Sequence, residues 1–309
     1  MGVIQMQEVA FNFNILCNNL TVEQTTRSKI AERYKRINHR LNFDFWGTSD
    51  PHSLYVGSYG RGTAVRGFSD LDIIFILPPH LEAQYNEYQD NGQSALLQAV
   101  KKSLQKTYPT TDIGGDGQVV FIQFSDNIKF EVVPVFAKKD GSFSYPDSNN
   151  GGSWKITNPR PEINMINFNN KLTKDKLIDL CRMARAWRNK WNIPMGGLLI
   201  DTLANEFIMN WQYKFYPPKP ELFRFDCYHW MSRDFFQFLC NQNTEQTFWF
   251  AVGSKQKVWR KGKFEYKAQQ CYNLAWQAIE DQSKNWNYSA NQKWREIYGT
   301  AYPNYSNKQ

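Results

Sequence analysis

One run of residues constrains this chain more than any other: Gly57–Asp72, reading GSYGRGTAVRGFSDLD. Gly57, Gly60 and Gly62 let the backbone turn tightly and approach a ligand without Cβ clashes. Successive backbone N–H groups in such a turn form a concavity for an anion, and Ser58 adds a hydroxyl. Arg61 and Arg66 bring positive charge. The run leads into Leu71–Leu77 (LDIIFIL), whose length and β-branched content predict a buried strand closed by Pro78-Pro79. Residues two apart on a strand share a face, so Asp70 and Asp72 converge. Paired carboxylates repel unless a cation lies between them, and Mg²⁺ favours a few carboxylates together with phosphate oxygens. A glycine-rich loop alone marks a turn, and a lone Asp-x-Asp marks a solvated strand end. Together they form the arrangement that phosphoryl or nucleotidyl transfer requires.

A third acid would complete a two-metal site. Glu131 lies in the apolar run Lys129–Phe136 (KFEVVPVF), where an unpaired charge is costly. Asp126 falls in the turn Ser125-Asp126-Asn127 that joins this run to Val119–Phe124, and reads as a hairpin residue. Catalytic roles are therefore expected for Asp70, Asp72 and Glu131.

Around this centre the pattern is α+β. Leu20–Leu41 spaces Ile30, Tyr34, Ile37 and Leu41 as one helical face, with Thr21 as the expected N-cap and Gln24 completing a capping box. Gln93–Thr107 is a second helix. Residues 145–161, rich in Pro, Gly and Asn, mark a lobe boundary. Beyond it the helical patterns are 174–190, 198–213, 234–241 and 265–285. At 309 residues the chain exceeds what one core usually serves. Two lobes are expected: 1–155, a mixed-sheet lobe including the N-terminal helix, and 156–309, a helical lobe. The net charge of +8 suits a polyanionic ligand without choosing between triphosphates and nucleic acid. Five scattered cysteines without a CxxC pair argue against zinc and for reduced thiols. No signal peptide or membrane span is visible, which predicts a cytoplasmic protein.

The Gly-Ser, spacer, Asp-x-Asp pattern with a later strand acid resembles the nucleotidyltransferase superfamily of DNA polymerase β. The flanking segments narrow the likeness: Asp116–Val120, Phe130–Phe136, Gly151–Trp154, Asn158–Arg160, Leu180–Trp187 and Trp294–Gly299. They look like the bacterial cGAS/DncV-like nucleotidyltransferases, from about residue 10 to residue 303. That resemblance implies a polymerase β-like lobe and a helical C-terminal lobe, bridged by a long N-terminal helix. It implies a cyclic oligonucleotide synthase, with cyclic dinucleotides expected, that joins nucleoside triphosphates such as ATP and GTP, releases pyrophosphate and signals to an effector protein in antiphage (CBASS-type) defence. It assigns two Mg²⁺ or Mn²⁺ ions to Asp70, Asp72 and Glu131, and the triphosphate to Gly57 and Ser58, with Arg61 beside them. Arg185 matches a family phosphate contact. Asn167, in Ile166–Asn170, falls where a family Asn helps select the base. The expected state is a monomer.

Two departures stand out. Where many relatives carry a phosphate-holding Ser, this chain has Met195-Gly196-Gly197-Leu198. The third acid is Glu where many superfamily members have Asp. No Cys/His zinc insertion is present, so activation by double-stranded DNA is not suggested. Two other readings remain open: an RNA-extending terminal nucleotidyltransferase, supported by the basic, aromatic stretch Lys255–Lys267 (KQKVWRKGKFEYK), and an inactive nucleotide-binding module.

Overall fold

The apolar run after the acidic pair is a strand, and the sheet is built around it. The computed structural model describes residues 2–67, 70–216 and 224–305, without the side chains of residues 2–7. Phe68 and Ser69 of the glycine-rich run lie outside the described residues. In chain order the first elements are α1 (Gly2–Leu20), α2 (Gln24–Trp46), β1 (Ser53–Tyr55), α3 (Gly57–Gly60), β2 (Leu71–Ile76), α4 (His80–Asn86) and α5 (Gly92–Thr107). Strands β3 (Asp112–Asp116), β4 (Val119–Gln123), β5 (Lys129–Ala137), β6 (Phe143–Asp147) and β7 (Ser153–Thr157) follow. Then come α6 (Pro159–Leu172), α7 (Lys176–Trp191), α8 (Gly197–Asn210), α9 (Tyr228–Cys240), β8 (Phe248–Phe250), β9 (Lys257–Trp259), α10 (Glu265–Ser283) and α11 (Asn287–Tyr298).

The chain divides into two compact units. One, the sheet unit, comprises Val22–Arg61 and Phe68–Ile163; the other, the helical unit, comprises Met1–Thr21, Gly62–Gly67 and Asn164–Gln309. In the sheet unit the strand order is β1-β2-β5-β4-β3, with β6 extending from β5 and β7 from β6. Strands β2 and β5 run parallel, while β4 and β5 form the expected antiparallel hairpin. Asn127, with φ 65°, takes the left-handed position of that turn, which Asn tolerates. Ile73, Phe75, Phe130, Val132, Val120 and Ile122 pack against Ile30, Ile37 and Leu41 of α2 and against Leu96, Val100 and Leu104 of α5. Asp72 and Ile74 alternate to the other face, where Val56, Ile74, Val135 and Phe143 make a smaller cluster.

The N-terminal helix departs from its expected boundaries. It is two helices, broken at 21–23, and α2 starts at Gln24 with Glu23 as N-cap and no side-chain cap. Thr21 instead donates its hydroxyl to the Cys17 carbonyl. Helix α1 joins the helical unit because Ala10, Phe13, Leu16, Cys17 and Leu20 form a buried stripe in that unit's core. Phe13 sits edge-on to Trp294 at 5.1 Å and to Tyr302 at 5.4 Å. The polar segment 145–161, expected to mark the lobe boundary, holds most of the β6–β7 hairpin, and the division falls later, inside α6. All five cysteines are free thiols, and no described helix is long and apolar enough to cross a membrane.

Candidate active site

The register of the two parallel strands sets the site. Asp72 on β2 pairs directly with Glu131 on β5, so their side chains leave the same face of the sheet side by side. Asp70 stands two residues before Asp72, at the exposed approach to β2. Of the three acids expected from the sequence, the strand pairing sets Asp72 and Glu131 side by side, while Asp70 stands outside the paired residues.

The glycine-rich run is held to these acids by the backbone. The Val56 N–H donates to the Asp72 carbonyl at 2.9 Å. Gly57–Gly60 then forms one helical turn, α3, whose second residue is Ser58. Gly57 has φ 58°, and a Cβ built there would run into the Asp72 carboxylate. A Cβ at Gly60 would likewise meet the Tyr55 carbonyl. Glycine is required at both positions by close approach, and at Gly57 also by its left-handed backbone.

The electrostatics follow from this crowding. Burial, then the charge of Glu131, then that of Asp70 push the Asp72 carboxyl up to about 6, while Arg61 pulls it down. Arg61 is turned inward, 5% exposed, with its guanidinium 3.5 Å from the Glu162 carboxylate. Its charge also lowers the Asp72 pKa. Lys129 is a residue that the sequence reading missed. Its ammonium lies 2.5 Å from Glu131 and 3.6 Å from Asp70, and its pKa is raised first by the hydrogen bond to Glu131. The signal was available, because Lys129 and Glu131 are two apart on one strand and must share a face. Phe121 continues that face across β4, directly opposite Glu131, with Lys129 Nζ 5.7 Å from its ring centre.

Among the described residues, no three acids, histidines or cysteines are drawn close enough to enclose a metal ion. The donors are nonetheless those a hard divalent cation takes: carboxylate oxygens, one of them raised from its normal pKa by burial and then by a like charge. A protein cation, Lys129, already stands among them. The residues fit such an ion.

The remaining expected site residues belong to the helical unit. Arg185 is 2% exposed and bound to both oxygens of Asp201, with Nη2 also donating to the Gly197 carbonyl at 3.1 Å. Asp201 in turn accepts from Thr63 at 2.9 Å. The guanidinium expected to meet phosphate is here engaged in a buried pair that ties α7 to α8. The Met195–Leu198 segment starts α8, with Gly196 as its N-cap. Asn167 is exposed on α6, whereas its neighbours are occupied: Asn169 donates to Asn205 and Asn170 accepts from the Ile178 N–H. Asp126 is held by Arg33 through two hydrogen bonds, of 2.8 and 3.0 Å, as a hairpin residue.

A mixed sheet with a glycine turn packed onto an Asp-x-Asp strand and an acid on the adjoining parallel strand defines the polymerase β-like nucleotidyltransferase class. Residues 6–170 match the Second Messenger Oligonucleotide or Dinucleotide Synthetase domain, and the chain belongs to that family. Its fold is shared with solved bacterial CD-NTases. Against Escherichia coli MS115-1 CdnC, in complex with HORMA-deltaN, the TM-score is 0.66 at 14% identity, covering 94% of this chain and 96% of that one. Bradyrhizobium diazoefficiens CdnG, in complex with GTP, gives 0.64 at 12% identity, covering 94% of each. Vibrio cholerae DncV, a cyclic AMP-GMP synthase solved with the linear intermediate 5′ pppA(3′,5′)pG, gives 0.59 at 14%, covering 82% and 70%. No curated protein matches the chain in sequence.

Proposed function

We propose that this protein is a divalent-metal-dependent synthase of a cyclic oligonucleotide, a cyclic dinucleotide in the first instance, made from nucleoside triphosphates with release of pyrophosphate. The observation that carries this reading is the direct pairing of Asp72 with Glu131, with Gly57 packed onto Asp72. The family supports the product class, and the GTP and pppApG seen in CdnG and DncV support triphosphate substrates such as ATP and GTP.

Asp70, Asp72 and Glu131 would hold two Mg²⁺ or Mn²⁺ ions, which in such a site neutralise phosphate charge and acidify the attacking ribose hydroxyl. The backbone of Gly57–Gly60 and the Ser58 hydroxyl cradle the donor triphosphate. Glu131, beside Asp72, orients the acceptor hydroxyl for in-line attack on the α-phosphorus as the bond to pyrophosphate breaks. Arg61 keeps Asp72 in its carboxylate form. Lys129 offsets acid repulsion before substrate arrives. Asn167 remains the proposed reader of the base edge. The linear intermediate attacks once more, closing the ring. In the cell the protein would act as a cytoplasmic monomer, its product engaging an effector in antiphage signalling.

The test is incubation of purified protein with the four ribonucleoside triphosphates and Mg²⁺ or Mn²⁺, phosphatase treatment and mass analysis. A phosphatase-resistant cyclic product is expected. The Asp70→Ala/Asp72→Ala variant should lose at least about a thousandfold in rate while melting as a folded protein. Undiminished synthesis by that variant overturns the site, and extension of an added RNA primer in place of cyclisation overturns the product.

A further inference from the structure

The basic, aromatic stretch near the C-terminus folds into a surface that the synthase reading does not use. Strands β8 and β9 form a two-stranded hairpin in the helical unit, pairing Phe248 with Trp259 and Phe250 with Lys257. Its inner side is anchored. Trp249 is buried against Phe264, and Arg260 is held by the Gln246 carbonyl at 2.5 Å, the Asn243 carbonyl at 2.8 Å and Glu265 at 2.6 Å.

The outer side should then be polar, as the water-facing side of an antiparallel pair commonly is. Instead it presents three aromatic rings around one lysine. Phe250 is 58% exposed and Trp259 60%. Phe248 lies 5.4 Å from Phe250 and 5.5 Å from Trp259, edge-on to the first and tilted to the second. Lys257 Nζ sits 4.4 Å from the Phe248 ring centre and 5.6 Å from that of Trp259. Residues 246–264 contain no Asp or Glu, and Lys255, Lys257, Lys261 and Lys263 are all exposed.

Exposed apolar area of this kind, with lysines clustered beside it, marks an interaction surface. We infer that the outer face of the β8–β9 hairpin binds single-stranded nucleic acid, its bases stacking on Phe250 and Trp259 and its phosphates meeting Lys255, Lys257, Lys261 and Lys263. Both components of a nucleotide chain are matched. Aromatic faces accept any base, and the lysines complement a polyanion. Three-residue strands span about 10 Å, enough for two or three nucleotides. A lipid surface fits less well, because the hairpin tip, Gly253-Ser254-Lys255-Gln256, is polar and the rings lie along the flat face rather than at the end that would insert. A cavity of about 630 Å³ beside the face is lined by Phe248, Phe250, Gln242 and Asn243, together with Glu206 and Glu245. The carboxylates there can accept from base amino groups, a contact that phosphates could not make.

The surface is tested on the full chain by fluorescence anisotropy with a labelled twelve-nucleotide oligouridylate, without metal or triphosphate. Binding is expected to weaken about tenfold or more in Trp259→Ala and in Phe250→Ala, and to be largely restored in Trp259→Tyr. Lys257→Gln should lower the salt slope by about 0.7. The Asp70→Ala/Asp72→Ala variant should bind like the wild type, which separates this surface from the synthase site. No binding at 50 mM salt, unchanged binding in the ring variants, or loss in the aspartate variant would each overturn the proposal. So would capture of phosphatidylglycerol vesicles through the same residues in place of the oligonucleotide.

Discussion

Asp72 is placed where its own charge is unwelcome. Its carboxyl titrates at about 6 in the folded chain against an ordinary 3.8, because burial and Glu131 disfavour the anion. Between those values the folded state keeps a proton that the unfolded chain releases. Stability therefore falls as pH rises from about 4 to 6, and the deficit persists above. In metal-free buffer Asp72→Asn should be more stable than the wild type by about 1–3 kcal/mol at pH 7.5 and equal to it near pH 3.5. Denaturant melts in EDTA at the two pH values check this, and equal stability at pH 7.5 contradicts it. Arg185 has the opposite character. Its pairing with Asp201 is fully internal, so Arg185→Met leaves a buried carboxylate without its counter-charge and should cost about 3–5 kcal/mol. Unchanged melting with a selectively raised KM for triphosphate would return Arg185 to the phosphate site. The sequence could announce Asp70, Asp72 and Glu131 because their cost is local, an acid in or beside an apolar strand. It could not announce the partner of Arg185, since Asp201 is brought to it only by the packing of α8 on α7.

At the scale of elements, the site depends on one turn and one strand pairing. The turn is fixed by Gly57, where a side chain would both strain a left-handed backbone and displace the Asp72 carboxylate. Gly57→Ala should lose about 1–3 kcal/mol in stability, read in a melt, and at least about a hundredfold in kcat/KM, read in a steady-state assay. Near-normal turnover in that variant would show that the close approach is dispensable. The pairing of β2 with β5 was out of reach of sequence, because parallel neighbours fifty-odd residues apart carry no turn signal between them. The β4–β5 hairpin was legible for the converse reason: a polar turn lies between its strands. The β6–β7 hairpin was hidden by a composition that reads as a lobe boundary, and α1 lacks the charged, solvent-facing stripe that makes α2 conspicuous.

For the molecule as a whole, each unit carries its own core, and the α+β pattern with a helical second half was written in the spacing of apolar residues. Which unit claims α1 was decided by Phe13, Leu16 and their neighbours finding Trp294 and Tyr302 far along the chain, information that no window around residue 13 contains. Synthesis by the proposed route requires the sheet unit to bind divalent ions. Anomalous diffraction from crystals grown with Mn²⁺ and a non-hydrolysable triphosphate measures that directly. Manganese peaks bounded by Asp70, Asp72 and Glu131, with Lys129 displaced and the phosphates against Gly57 and Ser58, are the predicted result. Manganese absent from these carboxylates while the nucleotide is bound would contradict it.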